Sequence, residues 1–169
     1  MLPFYVTKET KLREFQLKII HRVYASCNLV SKFDVNTDGI CRLCEAKYDI
    51  CHFFFYCQKA VQFWRNLSNW FENMCNSDAL LPLSVTDILF GILDKRNEEA
   101  FLANYCILHA KWYLHKTHKA ATTEDSYAPI FIEYLAYMKK VIVVERRIAA
   151  KNHTIDAFID TFDVIECYL

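Results

Sequence analysis

The chain has 169 residues, of which 54% are hydrophobic and 15% aromatic, so it can bury a substantial core and is not disordered. Lysine plus arginine and aspartate plus glutamate both number 20, which excludes a strong overall attraction to nucleic acid or membrane. Only 2 glycines and 3 prolines are present, and this scarcity favours long helices over tight hairpins.

The first predicted helix runs from about Lys8 to Cys27. Its apolar side chains recur at helical spacing, at Leu12, Phe15, Ile19, Val23 and Cys27. Residues 36–39, with the sequence Asn-Thr-Asp-Gly, then stop the helix and turn the chain. A second helix is predicted from His52 to Met74, and its core side is aromatic.

The second half of the chain shows further helical patterns. Ser84 followed by Asp87 three residues later predicts a helix start. A helix over Ala100–Lys119 carries lysines at 111, 116 and 119 towards its C-terminal end, as the helix dipole favours. After a polar loop at 120–126, another helix reaches about Ala150, and Thr154 is placed to cap a last one. The apolar side chains expected to be buried in the penultimate helix are Phe131, Leu135, Met138, Val141, Ile142 and Ile148.

These patterns together predict an all-α helical bundle with a small hairpin between the first two long helices. We expect residues 1–75 to hold a helix, a cysteine-rich knuckle and an aromatic helix, and residues 76–169 to form a C-terminal helical region. No apolar run approaches the length that a bilayer-spanning helix needs, so no membrane partner is expected.

Eight cysteines raise the question of a disulfide framework. No secretory segment follows Met1, and four of the cysteines cluster near metal-ligand spacing. The other four stand in apolar helical contexts typical of small buried side chains: Cys27, Cys75, Cys106 and Cys167. We therefore expect reduced thiols and a cytoplasmic or nuclear location.

The clustered cysteines form a zinc-ligand pattern. Cys41, Cys44, His52 and Cys57 are spaced as C-x2-C-x7-H-x4-C, and a pair of cysteines two residues apart can bend so that both sulfurs reach one ion. Because five residues on a straight helix turn the side chain by about 140°, His52 and Cys57 predict an irregular turn near residues 56–58. Cys51 is a competing ligand, since C-x2-C-x6-C-x5-C describes an all-cysteine site.

A calcium-loop pattern overlaps the same stretch. Residues Asp34 to Glu45 match D-x-[DN]-x-[DN]-G-x5-E, with Gly39 at the sharp turn. These loops usually work in pairs, and the chain contains no second match. An EF-hand-like calcium site over Asp34–Glu45 is therefore the weaker alternative, and the aspartates and the glycine also suit an ordinary turn.

The segment Lys11–Phe71 resembles the zinc-binding region that follows the polymerase domain in LINE-type (non-LTR) retrotransposon reverse transcriptases. The features that carry the resemblance are LREFQLKIIHRVYASCNLVSKF, then ICRLCEAKYDICHFFFYC, then an aromatic helix containing Phe63–Trp64. The later stretches ILFGI and NYCILHAKWYLHK are also similar to the C-terminal part of such polyproteins. Gln58 departs from the family, which often places proline after the last ligand.

The resemblance implies zinc as the cofactor, His52 rather than Cys51 as the third ligand, and a non-catalytic module that binds template RNA or target DNA. The polymerase domain of the parent polyprotein would be a further partner, and a zinc-stapled structural or protein-interaction domain is the alternative. No polymerase or endonuclease motif is present, so we expect no enzymatic activity and no small-molecule substrate, as in a detached or truncated copy. The residues predicted to contact nucleic acid are basic: Arg13, Lys18, Arg22, Arg42 and Lys47.

Overall fold

The computed structural model describes residues 5–41, 44–75, 83–93, 98–120 and 129–169. It confirms the all-α class, because these residues hold helices and no strand beyond one isolated bridge between Ile40 and Lys47. The α-helices are α1 Thr10–Ile20, α2 Cys27–Val30, α3 Gln58–Cys75, α4 Val85–Phe90, α5 Glu98–Ala120, α6 Phe131–Lys151 and α7 Ile155–Tyr168. A π-helix, His52–Tyr56, directly precedes α3.

Helix α5 forms the centre of the bundle. Every residue from Leu102 to Lys111 is buried, and α1, α3, α6 and α7 all contact this helix. Its buried amide side chain, Asn104, is satisfied by the backbone of Ile92, with hydrogen bonds of 2.7 and 3.0 Å. Helices from both the 1–75 and the 76–169 regions therefore share one hydrophobic core around α5.

Helix α1 ends seven residues before the position that the apolar spacing predicts. Arg22 adopts a left-handed conformation with φ 58°, and Val23 N donates to Lys18 O at 2.9 Å while Arg22 N donates to Ile19 O at 3.0 Å. These two bonds form a Schellman motif, which is a standard helix ending. Its left-handed position is usually glycine, and an arginine there carries no helix-stop signal in the sequence.

Several predicted core positions and caps differ in the structure. Val23 is 59% exposed and Ile148 is 48% exposed, so neither belongs to the core as predicted. Tyr134, which the sequence analysis left out, is fully buried instead. The capping box of Ser84 and Asp87 is confirmed. Thr154 precedes α7, but its hydroxyl donates to a carbonyl of the preceding helix and does not cap α7.

Some predictions fall on parts of the chain outside the described residues. The break at Pro82 and most of the polar loop at 120–126 lie there, as does Arg42. Within the described helices, none combines the length and the hydropathy that crossing a membrane requires.

Candidate metal centre

A tight hairpin presents the first two cysteines of the cluster. Its two sides are joined by the antiparallel bridge between Ile40 and Lys47 and by a hydrogen bond of 2.8 Å from Cys41 N to Ala46 O. Glu45 closes the turn in a left-handed conformation with φ 54°. The reversal brings the two thiols of the C-x2-C pair to the same side of the hairpin.

Gly39 lets this hairpin lie directly against α2. Its φ is +72°, and a Cβ atom there would lie 2.7 Å from Ser31 Oγ and 3.2 Å from Asn28 Cα. Asn28 N also donates to Tyr48 O at 3.1 Å, so the far side of the hairpin is held by the same helix. The close approach therefore requires glycine at position 39.

The π-helix positions the second pair of ligand candidates. Cys57 N donates to His52 O at 2.8 Å, which is the i to i+5 bond of a π-turn. Cys57 itself is extended, with φ −61° and ψ 133°, and α3 begins at the next residue. The wider turn returns the chain towards the same side, so the two side chains are not separated by the 140° of a straight helix. The irregular turn predicted for residues 56–58 is confirmed.

Three buried donor atoms converge between the hairpin and the π-turn, and a fourth, from the exposed Cys44, lies beside them. Those of Cys41, His52 and Cys57 lie within 4.8 Å of one another, and all three residues are buried, so this cluster could hold a metal ion. Cys44 Sγ lies 3.2 Å from His52 Nε2, and the Cys44 thiol also interacts with the thiols of Cys41 and Cys57. In a tetrahedral site with zinc bond lengths, sulfur atoms lie about 3.8 Å apart and sulfur and nitrogen about 3.5 Å apart. Three buried donors therefore could hold a metal ion, and the distance from Cys44 Sγ to His52 Nε2 is close to the one that a fourth, tetrahedral ligand would need.

Burial sets the protonation states of this cluster. It raises the pKa of the Cys57 and Cys44 thiols and lowers the pKa of the His52 imidazole. All three shifts favour the neutral forms. A thiolate is the ligating form of cysteine, so the arrival of a divalent cation would reverse the preference of the thiols and release protons.

The structure brings His52, and not Cys51, into the cluster. Cys51 lies half-buried at the start of the π-helix, where burial and then the charge of Asp49 raise the pKa of its thiol and the charge of Arg22 lowers it in part. The Asp49 carboxylate accepts a hydrogen bond of 2.9 Å from His52 N and so fixes the first residue of the π-turn. The rings of Tyr48 and His52 pack in an edge-to-face arrangement, with their centroids 5.4 Å apart.

The calcium-loop carboxylates are used within turns. Asp34 Oδ1 accepts from Asn36 N at 3.0 Å, and Asp38 Oδ1 accepts from Ile40 N at 3.0 Å. Glu45 is exposed, and among the described residues the carboxylates of this loop do not converge into a metal-holding group. The geometry therefore favours the ordinary turn over an EF-hand-like site.

Two of the residues predicted to contact nucleic acid are engaged within the protein. Arg13 Nε donates to Thr7 O at 2.6 Å, which holds the N-terminal segment against α1. Lys18 forms an exposed ion pair of 2.7 Å with Glu14 on the same helix. Arg22 and Lys47 are both exposed.

A group of histidines and lysines lies near the hairpin and was not predicted from the sequence as a group. His115, His118 and Lys119, at the C-terminal end of α5, lie close to Lys18 of α1; burial and then these positive charges lower the pKa of His115. The His118 ring packs on Phe53 at 5.0 Å, next to the π-turn. We call these four residues the basic face. The two helix ends that form it are distant in sequence, so no local pattern could reveal it.

No protein-family model, curated protein sequence or solved structure matches the chain. The fold and the site by themselves define an all-α protein whose cysteine and histidine side chains could hold a metal ion between a hairpin and a π-turn.

Proposed function

We propose that the protein is a zinc-binding helical module without catalytic activity. The observation that carries the proposal is the buried group of Cys41, His52 and Cys57, with the exposed Cys44 thiol in contact with His52 as the fourth candidate ligand. Soft sulfur and imidazole donors in a tetrahedron are the preferred environment of zinc, and a closed set of four protein ligands is typical of a structural site.

Zinc at this position would add a link between two parts of the fold that are already in contact through Asp49 and Tyr48. Cys41 and Cys44 belong to a short hairpin, while His52 and Cys57 flank the π-turn that leads into α3. A hairpin this short is marginally stable alone. Binding free energy would therefore appear directly as stability of the segment from the hairpin to α3.

Metal analysis of the purified protein tests the zinc proposal. We expect about one zinc ion per chain, and loss of the metal together with a lower melting temperature in Cys44→Ser. Cys51→Ser is the matched control, because its thiol lies outside the cluster, and it should keep the metal. Zinc content and melting temperature unchanged in Cys44→Ser would show that this ligand set is wrong.

We further propose that the module helps a retroelement reverse transcriptase hold RNA or DNA, as the resemblance to the LINE-type zinc-binding region implies. The basic face and the exposed Arg22 and Lys47 supply positive charge around the hairpin. A phosphate placed there would pair with the exposed ammonium group of Lys119.

A filter-binding titration with single-stranded RNA over a salt series tests this second step. Replacing Arg22, Lys47 and Lys119 together by glutamine should weaken binding and reduce the slope of log K against log salt by about 2. The control replaces Lys139 and Lys140, which are exposed on α6, and should leave the slope unchanged. Binding without salt dependence, or equal losses in both variants, would contradict the nucleic-acid role.

The alternative is a zinc-stapled domain that packs on the polymerase domain, and one observation favours it. Phe33 is 84% exposed and Val35 is 98% exposed, side by side on the turn before the hairpin. Two apolar side chains so exposed suit a protein contact. The zinc-loaded protein would then fail to bind RNA, while Phe33→Ser would weaken its association with the polymerase domain.

A further inference from the structure

Helices α6 and α7 form a helical hairpin over one side of the bundle. Residues 152–154 connect them, and the two helices pack on each other and on α5. Arg146 of α6 and Glu166 of α7 form an ion pair of 2.9 Å between them. Since both helices turn their buried side chains towards the same core, their outward sides lie next to each other on one surface.

The outward side of α6 is basic. Lys140, Val143 and Arg147 recur at intervals of three and four residues, which places them on one face of the helix, and all three are exposed. Neither Lys140 nor Arg147 forms an ion pair with a described residue. Ile132 lies on the same face, about three turns before Val143, and is 77% exposed. We call Lys140, Val143 and Arg147 the α6 stripe.

The outward side of α7 is acidic. Asp156, Asp160 and Asp163 recur at intervals of four and three residues, so they share one face of the helix, and all three are exposed. None of them forms an ion pair within the part of the chain that the structure describes. Val164 lies beside them and is 43% exposed. We call the three aspartates the α7 stripe. Two neighbouring helix faces therefore carry unpaired charges of opposite sign.

A surface with this charge pattern is complementary to a second copy of itself. In a dimer with two-fold symmetry, an axis parallel to the helices places α6 of each copy over α7 of the other. Rotation about this axis keeps every residue at its height along the helices. Arg147 lies four residues before the end of α6 and Asp160 five residues after the start of α7, so the two side chains would meet across the interface. An axis across the helices would instead place like charges over each other, which is unfavourable.

We infer that the outward surface of α6 and α7 is the interface of a symmetric homodimer, in which the α6 stripe of each copy pairs with the α7 stripe of the other. The exposed aliphatic side chains of Ile132, Val143 and Val164 are buried on association, while the charges set the orientation. The aspartates next to the basic residues repel phosphates, so this surface favours a second copy over RNA. The inference is independent of the metal centre and of the proposed nucleic-acid contacts, because the stripes contain none of their residues.

Sedimentation velocity of the purified full chain tests the dimer. The buffer contains a reducing agent, which excludes a disulfide through the exposed Cys167. We expect a species of twice the chain mass, with a dissociation constant of about 10 µM or lower. Raising the salt from about 50 mM to about 500 mM should weaken the dimer by about tenfold, because the paired charges are screened. A chain that stays monomeric at about 100 µM overturns the inference.

Charge reversal locates the interface. Arg147→Glu and Asp160→Lys should each weaken self-association by about tenfold or more, because each change places like charges at two symmetry-related positions. An equal mixture of the two variants should dimerise again, since the reversed charges then pair across the interface. This recovery also shows that both variants are folded.

Lys11→Glu is the matched control, because Lys11 is exposed on α1 and the change in charge equals that of Arg147→Glu. This variant should dimerise as the parent does. The inference is overturned if the mixture stays monomeric, or if Lys11→Glu weakens the dimer as much as Arg147→Glu does. A monomeric parent whose RNA binding is lost in Arg147→Glu would also overturn it, and would assign the α6 stripe to nucleic acid.

Discussion

Lys111 is a charged residue in the middle of the hydrophobic core. It is 2% exposed on α5, and its ammonium group donates to Gln16 Oε1 and, at 3.1 Å, to Leu89 O. Both acceptors are neutral. Burial lowers the pKa of Lys111 from its ordinary value of 10.5 to about 7.

This shift makes stability depend on pH in a defined direction. An unfolded lysine keeps its proton up to about pH 10.5, while the buried one loses it near pH 7. The unfolded chain therefore binds more protons between these values, and the contribution of Lys111 to stability rises with pH. From pH 7 to pH 9 the gain is about 2 kcal/mol, because each pH unit of full proton difference contributes 1.36 kcal/mol.

Urea unfolding of the parent and of Lys111→Met at pH 7 and pH 9, under reducing conditions, measures this gain. The thiols and the metal centre also titrate in this range, but their contribution is shared and cancels in the difference between the two proteins. The parent should gain about 2 kcal/mol relative to the variant. An equal change with pH in both proteins would refute the argument that Lys111 is buried and partly neutral.

Two further predictions concern local structure. Gly39→Ala should lower the free energy of unfolding by about 1–3 kcal/mol, because position 39 has φ +72° and the new Cβ would meet Ser31 Oγ at 2.7 Å. Denaturant titration measures this loss, and an unchanged midpoint would contradict the close packing. Ser84→Ala removes a capping box with Asp87 and should lower the free energy of unfolding by about 1 kcal/mol, which the same titration measures. Ser84→Gly should lose less stability than Ser84→Ala.

The helix boundaries show where local sequence signals succeed and fail. The capping box at Ser84 is a local pattern, and the structure contains it. The end of α1 at Ile20 is also local, but its left-handed residue is Arg22 and not the usual glycine. Because the helix ends early, the chain turns and Tyr24 is buried against Phe15 and Phe54. Tertiary packing compensates for the unfavourable backbone conformation there.

The spacing of the cysteines and the histidine predicted most of the candidate metal centre. Two cysteines two residues apart require a turn, and a histidine and a cysteine five residues apart require a break in helical geometry; both features are present, as the hairpin and the π-turn. Spacing alone could not choose between Cys51 and His52, because adjacent residues differ only in the side of the chain to which they point. In the structure, the π-turn places His52 in the cluster and leaves Cys51 outside it.

The sequence by itself determined the all-α class, the absence of tight-turn residues from most of the chain, and the metal-ligand candidates with the irregular turn between them. These are properties of periodicity and spacing, which act over a few residues. Only the tertiary structure decided that Lys111 is buried, that His118 packs beside the π-turn, and that Tyr105 and Glu145 line one cleft. Each of these depends on which helices pack together around α5, and contacts between distant helices leave no local pattern in the chain.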